Sequence, residues 1–300
     1  MKNKIVFIGD TNSINLELIF KSYKKIRKKV KYIIIADIKN LINSVEKKRY
    51  DVNINEVLDP IGFTDYNNNT LNVFNVSNRK SKIDTMLSQL KISNKICNLL
   101  NYDLITMPID KQIFKKKISN FIGMTEFLGS LNNVETTMLM VGENFSIIPI
   151  TTHIKLSQVS KNLKTNFNFF LKKLNKFNNK TKFLTQFENI IFLCINPHCG
   201  ENGKNGKEDL IIKKNLQKLN FKRIRLLAAD SAFKKYDKKT LFISFYHDQA
   251  LIPFKILNKK SINQTLGLNY KRLSPSHGTA ADIKLKNIAD NESYIQCMID

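Results

Sequence analysis

Val30-Lys31-Tyr32-Ile33-Ile34-Ile35-Ala36-Asp37 is the stretch that decides the fold class. Its unbroken apolar run has no polar face, which is the habit of a strand buried on both sides in a parallel sheet. The flanking sequence agrees. Lys4–Gly9 is a second apolar run that breaks at Gly9-Asp10, a strand running into a loop, and Ile14–Lys29 has helical spacing. Downstream, Ser81–Leu100 is helical by spacing, and Asp103–Met107 is a short strand stopped by Pro108. Thr136–Gly142 and Phe145–Thr152 read as a strand pair around Gly142-Glu143-Asn144. Leu156–Phe177 is a long amphipathic helix, and Asn189–Ile195 is another buried strand, closed by the turn Asn196-Pro197-His198. Glu208–Leu219 and Lys284–Met298 are predicted helices, and Arg223–Ala228 and Thr240–Tyr246 predicted strands. This alternation predicts an α/β fold with mainly parallel sheets and helical crossovers. Open sheets of that kind bind ligands at the carboxyl ends of their strands, where His198 and His247 fall.

The chain has 300 residues and a hydrophobic fraction of 42%, enough for a sizeable core, so global disorder is excluded. No apolar run approaches the ~18 residues of a membrane span. Residues 1–10 read as a first strand and lack a cleavable leader, so a cytoplasmic protein with no membrane partner is expected. The net charge of +24 invites a nucleic-acid reading. Two features oppose it. Only 6 of the 49 basic residues are arginine (Arg27, Arg49, Arg79, Arg223, Arg225 and Arg272), although phosphate and base readout favour the arginine fork. Successive hundreds of residues also carry +9, +6 and +9, so no basic patch stands out. Lysine, asparagine and isoleucine are abundant together, which fits AT-rich codons, and no nucleic-acid partner is expected. Lys172–Lys182 and Asn67-Asn68-Asn69 read as solvated surface. Cys97, Cys194, Cys199 and Cys297 lack metal or redox spacing, so four reduced thiols are the default expectation.

Against that background the rare residues carry the information. All 4 histidines lie in the second half, each in a polar cluster: His153 in Thr151-Thr152-His153, His198 in Asn196-Pro197-His198-Cys199-Gly200, His247 in Tyr246-His247-Asp248-Gln249 and His277 in Ser276-His277-Gly278-Thr279. A lone histidine is usually structural or solvated. Three on separate loops with carboxylates nearby suit a divalent metal with open positions. Gly200-Glu201-Asn202-Gly203-Lys204-Asn205-Gly206, before a helix near Glu208, reads either as an ordinary glycine-rich turn or as amides that approach an anion. The first strand is not followed by GxGxxG and there is no Walker A motif, so neither common nucleotide fold is supported.

Several runs together carry a specific resemblance. Asn196–Asp209 (NPHCGENGKNGKED), Tyr246–Lys255 (YHDQALIPFK), Asn263–Leu268 (NQTLGL) and Arg272–Ile283 (RLSPSHGTAADI) resemble the 4-hydroxythreonine-4-phosphate dehydrogenase family of vitamin B6 biosynthesis. Thr106–Lys111, Gly123–Gly129 and Thr151–Val159 match earlier motifs of the family more loosely, in the same order. The resemblance implies an isocitrate/isopropylmalate-dehydrogenase-like fold: residues 1–300 as one catalytic unit of two interwoven α/β lobes, with the active-site cleft between them, in a homodimer with shared sites. It implies His153, His198 and His247 as ligands of a divalent metal (zinc, magnesium or cobalt). It implies Thr125, Lys255, Asn263 and Arg272 as substrate-binding residues. His277, Gly278, Thr279, Ala280 and Asp282 are similar to the loop that holds the adenosine end of NAD, and an acidic residue there suits a free 2′-hydroxyl.

The implied reaction is NAD-dependent oxidation of 4-phosphooxy-L-threonine to a β-keto acid that loses CO2, giving 3-amino-2-oxopropyl phosphate. Lys255 and Asp248 are the expected catalytic residues, Lys255 at the alcohol proton and Asp248 either orienting a ligand histidine or touching the metal. The chain departs from the family in places. The family's GHTE reads Gly123-Met124-Thr125-Glu126, Ser276 replaces an aspartate, and the loop Gly9–Asn15 has lost glycines. Two alternatives follow: a dehydrogenase for a related phosphorylated four-carbon hydroxy acid, or a diverged metal-binding protein without catalysis.

Overall fold

The computed structural model describes residues 2–48, 50–66, 69–77, 81–217, 223–284 and 286–300. Arg49, Arg79, Asn67, Asn68, Leu219 and Leu285 lie outside the described residues. The chain forms two compact units: the first runs to Thr136 and resumes at Ile262, and the second is Thr137–Ser261.

The first unit begins with β1 (Lys4–Phe7), α1 (Asn15–Ile26), β2 (Tyr32–Ala36), α2 (Ile38–Lys48), β3 (Asn53–Val57), β4 (Thr70–Asn75) and α3 (Lys82–Leu100). It continues with β5 (Asp103–Thr106), α4 (Lys111–Lys117) and α5 (Met124–Leu131). The second unit holds β6 (Thr137–Gly142), β7 (Ser146–Pro149), α6 (Val159–Thr181), β8 (Asn189–Leu193) and α7 (Glu208–Leu216). It ends with β9 (Ile224–Leu227), α8 (Ala229–Ala232), β10 (Thr240–Ser244) and α9 (His247–Leu257). The chain then returns to the first unit with β11 (Ser261–Leu266), β12 (Arg272–Pro275) and α10 (Glu292–Ile299).

In the first unit the strand order is β3-β4-β2-β1-β5-β12-β11, parallel except for the β11–β12 pair. Every residue of β1, β2 and β5 is buried, as the continuous apolar runs require. In the second unit the order is β6-β7-β10-β8-β9, again parallel except for the hairpin β6–β7. Phe145 is a hub of that unit's core. Its ring stands 5.0 Å from Tyr236, 5.1 Å from Phe242, 5.7 Å from Phe233 and 5.8 Å from Phe254. In a chain without tryptophan, phenylalanine fills the large core positions.

Two expectations are corrected. The final helix starts at Glu292, not Lys284. The stretch before it is tied down instead: Lys21 Nζ donates to the carbonyls of Asn287 and Ala289, Glu17 Oε1 accepts from the Ala289 amide, and Asn287 has φ +57°. These side chains take the backbone groups that a helix would have used. Second, the thiols are not all reduced. The turn at Asn196-Pro197 folds the chain back so that the Cα atoms of Cys194 and Cys199 lie 5.1 Å apart, and the two are joined by a disulfide. Cys97 and Cys297 are buried free thiols.

One ion pair lies inside the first sheet. Lys4 and Asp103 face each other across β1 and β5, Nζ to Oδ2 3.3 Å, and both are buried. Asp103 Oδ1 has no hydrogen-bond partner, so the lysine is what the carboxylate depends on. Replacing Lys4 with Met should cost about 3–5 kcal/mol in urea denaturation, the range for a buried charge left alone. The double change Lys4→Met with Asp103→Leu should recover most of it. A single variant as stable as the parent would show that the pair carries no such charge.

Candidate active site

The second unit holds the metal-type residues. His153 is exposed on the loop after β7, with φ +53°. His247 opens α9 at the carboxyl end of β10. Their rings lie 5.8 Å apart, centroid to centroid. Asp248 Oδ1 is 2.7 Å from His247 Nδ1. That contact, followed by a hydrogen bond from the Tyr246 hydroxyl, holds the Asp248 carboxyl below the usual carboxylate range. A carboxylate on Nδ1–H leaves Nε2 with its lone pair outward, the form that binds metal. This geometry is compatible with the orienting role, one of the two expected for Asp248. Lys255 is exposed on α9, seven residues after Asp248 and so on the same side of the helix.

His198 is carried by an unusual turn. His198, Cys199, Gly200, Glu201 and Asn202 all have positive φ, from 46° to 69°. A left-handed run costs about 1–2 kcal/mol per non-glycine residue, so its surroundings must hold it. The buried Asp209 carboxylate accepts from the amides of Ile195 (2.8 Å) and Asn196 (3.0 Å) and from Asn196 Nδ2 (3.0 Å). The Asn205 amide donates to the Gly200 carbonyl, and the Cys194–Cys199 disulfide closes the base of the turn. At Gly200 a Cβ would meet the Gly206 carbonyl at 2.8 Å, so glycine is required. Gln249 links this turn to α9: its Nε2 donates to the Cys194 carbonyl and its Oε1 accepts from Ser244 Oγ. Helix α7 starts at Glu208 as expected, with two carboxylates in its first turn, Glu208 and Asp209, which disfavours the anion reading of the glycine-rich loop.

Among the described residues, no group of three or more His, Cys, Asp or Glu is placed to hold a metal. Within one chain the structure thus brings His153 and His247 together and does not bring His198 into a set with them. The donor chemistry still suits a divalent cation, with two imidazoles adjacent and one of them oriented by a carboxylate.

The first unit holds the anion-type residues. In the β11–β12 ladder Thr265 faces Arg272 and Asn263 faces Ser274, so these side chains share one face of the sheet. Arg272 is 3% exposed, and burial pulls its guanidinium down to about 10. Its Nε donates to Thr106 Oγ1 at 2.9 Å, its Nη2 donates to the same oxygen, and its Nη1 donates to Thr265 Oγ1 at 3.0 Å. Thr265 Oγ1 lies 3.3 Å from Thr125 Oγ1. Among the described residues no carboxylate stands within ion-pair distance of Arg272. The Asn263 side-chain oxygen is buried with no hydrogen-bond partner. Met124 starts α5 and packs against the apolar cluster of this unit, adding no polar group beside Thr125.

The loop after β12 carries the cofactor-type residues. His277 Nδ1 contacts the Gly278 carbonyl at 2.8 Å, while its Nε2 is buried without a partner. A Cβ on Gly278 would meet nothing within 4 Å, so the backbone there is open to an approaching group. The Thr279 carbonyl accepts from the Ile14 amide, Ala280 has φ +43°, and Asp282 is exposed on the short turn Ala281–Ile283. An orphaned buried nitrogen beside open backbone fits a ligand with its own hydrogen-bonding groups.

Residue reasoning missed Thr106, Asp209, Gln249 and Thr265. Each lies inside a run that was singled out, but a threonine in a strand or an aspartate at a helix start has an ordinary reading as well.

The fold and these groups define an α/β protein with a buried arginine in one unit and paired imidazoles in the other. The sequence model of the family described as pyridoxal phosphate biosynthetic protein PdxA matches residues 13–299, and the chain belongs to that family. A 4-hydroxythreonine-4-phosphate dehydrogenase of Sulfurihydrogenibium sp. is 30% identical, over 98% of this chain and 95% of its own. That of Campylobacter fetus subsp. fetus is 32% identical over 98% and 95%. The crystal structure of the 4-hydroxythreonine-4-phosphate dehydrogenase from Klebsiella pneumoniae shares the fold, with a TM-score of 0.78 at 22% identity, covering 99% of this chain and 98% of that one.

Two outcomes are expected. Burial holds the His277 imidazole below its ordinary value of 6.5, so the folded state favours the neutral ring and the unfolded chain protonates first. The stabilisation is complete above about pH 6.5 and is lost as pH falls through the lower folded value. Tm should therefore drop between about pH 7.5 and pH 5.5 more in the parent than in His277→Gln; equal drops would contradict this. Thiol titration after unfolding without reductant should read Cys97 and Cys297 only, and reduction should add Cys194 and Cys199. Four thiols before reduction would refute the disulfide.

Proposed function

We propose that this chain is an NAD- and divalent-metal-dependent dehydrogenase. It oxidises the secondary alcohol of 4-phosphooxy-L-threonine to a β-keto acid, which loses CO2 to give 3-amino-2-oxopropyl phosphate. The observation that carries the reading is the buried Arg272 guanidinium, gathered with Thr125 and Thr265 and, among the described residues, without a carboxylate at ion-pair distance. A cation so placed is incomplete without an anion, and the substrate is one. The names of the curated relatives support the same substrate.

The chain's own groups have definable tasks. Arg272 and Thr125 hold an anionic end of the substrate by donation. The unpartnered Asn263 oxygen accepts from a substrate N–H or O–H, which fixes which way round the molecule lies. Lys255, exposed on α9, takes the alcohol proton at Nζ or steadies the oxygen that loses it. His153, His198 and His247 would hold the metal, and Asp248 keeps His247 in the ligating tautomer. When bound, the metal supplies Lewis acidity toward the alcohol oxygen. His277, Gly278, Thr279, Ala280 and Asp282 would hold NAD, the hydride acceptor. The Asp282 carboxylate suits a free ribose 2′-hydroxyl and repels a 2′-phosphate, so NAD is preferred to NADP. A homodimer completes the proposal, because a second chain can supply the imidazole that one chain does not gather. No helix among the described residues is long and apolar enough to cross a membrane, which is compatible with a cytoplasmic location.

The assay is NADH formation from 4-phosphooxy-L-threonine with zinc, magnesium or cobalt. Chelation should abolish turnover, and His198→Ala should lower kcat/KM by at least about a hundredfold. Turnover no greater than that of His198→Ala would sink the reading. Met124 favours one competitor, a dehydrogenase of a phosphorylated four-carbon hydroxy acid: it places an apolar side chain beside Thr125. Preferred turnover of phosphorylated erythronate or threonate would establish that reading instead.

A further inference from the structure

Arginine only donates hydrogen bonds, which fixes the direction of the chain of hydroxyls around Arg272. Thr265 Oγ1 must be the acceptor of the Nη1 bond at 3.0 Å. Its own proton then points elsewhere, and the acceptor at hand is Thr125 Oγ1 at 3.3 Å. With that lone pair engaged, the Thr125 hydroxyl proton is left to a third acceptor. On the other side, Thr106 Oγ1 takes both Nε and Nη2 and so locks the plane of the guanidinium. Thr106, Thr265 and Arg272 are almost wholly buried, so water does not compete for these bonds. Of five N–H groups in a guanidinium, these bonds use three, leaving one on each terminal nitrogen.

We infer that Thr265 is a positioning residue for the anionic substrate. It braces Arg272 in register across the β11–β12 ladder and turns the Thr125 hydroxyl into a donor, so that guanidinium and hydroxyl present protons to one anion. The inference rests on the proposed function for the identity of that anion. The geometry explains why threonine stands here. Serine keeps the oxygen and the relay. Valine keeps the shape and the β-branched fit to the strand but removes the hydroxyl that accepts from Arg272 and donates to Thr125.

The test compares Thr265→Val, Thr265→Ser, Thr125→Val and the Val/Val double variant in the full chain. KM and kcat are measured for 4-phosphooxy-L-threonine, the Kd for inorganic phosphate by calorimetry, and Tm for each protein. Losing one charge-coupled hydrogen bond predicts a KM and a phosphate Kd raised about tenfold in Thr265→Val, with kcat within about twofold. Thr265→Ser should stay within about twofold of the parent, and the double variant should be little worse than Thr265→Val alone, since both act on one donor. A merely structural role would lower Tm while leaving both affinities in place, and that outcome overturns the inference. So does Thr265→Ser as impaired as Thr265→Val, or phosphate binding that is equal, or equally absent, in parent and Thr265→Val. A parent that oxidises no phosphorylated hydroxy acid would sink the proposed function alone, because the phosphate affinities still decide the relay.

Discussion

The buried guanidinium of Arg272 sets the terms for the first unit. A cation kept from water and from carboxylates is costly unless each N–H finds an acceptor. Thr106 at the end of β5 and Thr265 on β11 accept three of the five, and both positions follow from strand register. Arg272 is therefore held as firmly as the sheet itself. The chain that supplies it must come back from the second unit and lie beside β5. The same return carries the His277 loop to the first helix, where the Thr279 carbonyl meets the Ile14 amide. One strand pairing thus fixes both the buried arginine and the His277 loop.

In the second unit the corresponding constraint is the Asp209 carboxylate. It takes the amides of Ile195 and Asn196 and so fixes where the left-handed run that bears His198 begins. Gln249 ties the same place to the first turn of α9, beside His247 and Asp248. Both elements thus leave the ends of neighbouring parallel strands, β8 and β10, already coupled.

How much of this was legible depended on the kind of signal. The buried strands were plain, because Ile33–Ile35 and Ile190–Phe192 have no polar face to offer solvent. The histidine candidates were plain because they are scarce in a chain drifting toward lysine, whereas Arg272 was singled out only by its place in a family-like run; the +24 charge told more by that contrast than by naming a partner. The late helix was misplaced because Lys21 and Glu17, far away in sequence, bind the backbone around Ala289. Periodicity reports only local preference. The disulfide needed the reversal at Pro197 before the distance between two cysteines had meaning. Thr106 and Thr265 were hidden for another reason: a threonine in a strand satisfies β propensity whether or not its hydroxyl has a task.

The route of the chain has a consequence for synthesis. The second unit is continuous, so all of it has been made before Ile262–Asp300. The first unit is not. Until β11 and β12 arrive, β5 is an open sheet edge with fully buried apolar residues on it, and Thr106 has no guanidinium to receive. The order of folding then departs from the order of translation: the middle of the chain can close first, and the first unit must wait for residues made after the second. A ribosome stalled near residue 260 would release a chain whose second unit is whole and whose first unit offers a strand edge to any neighbour.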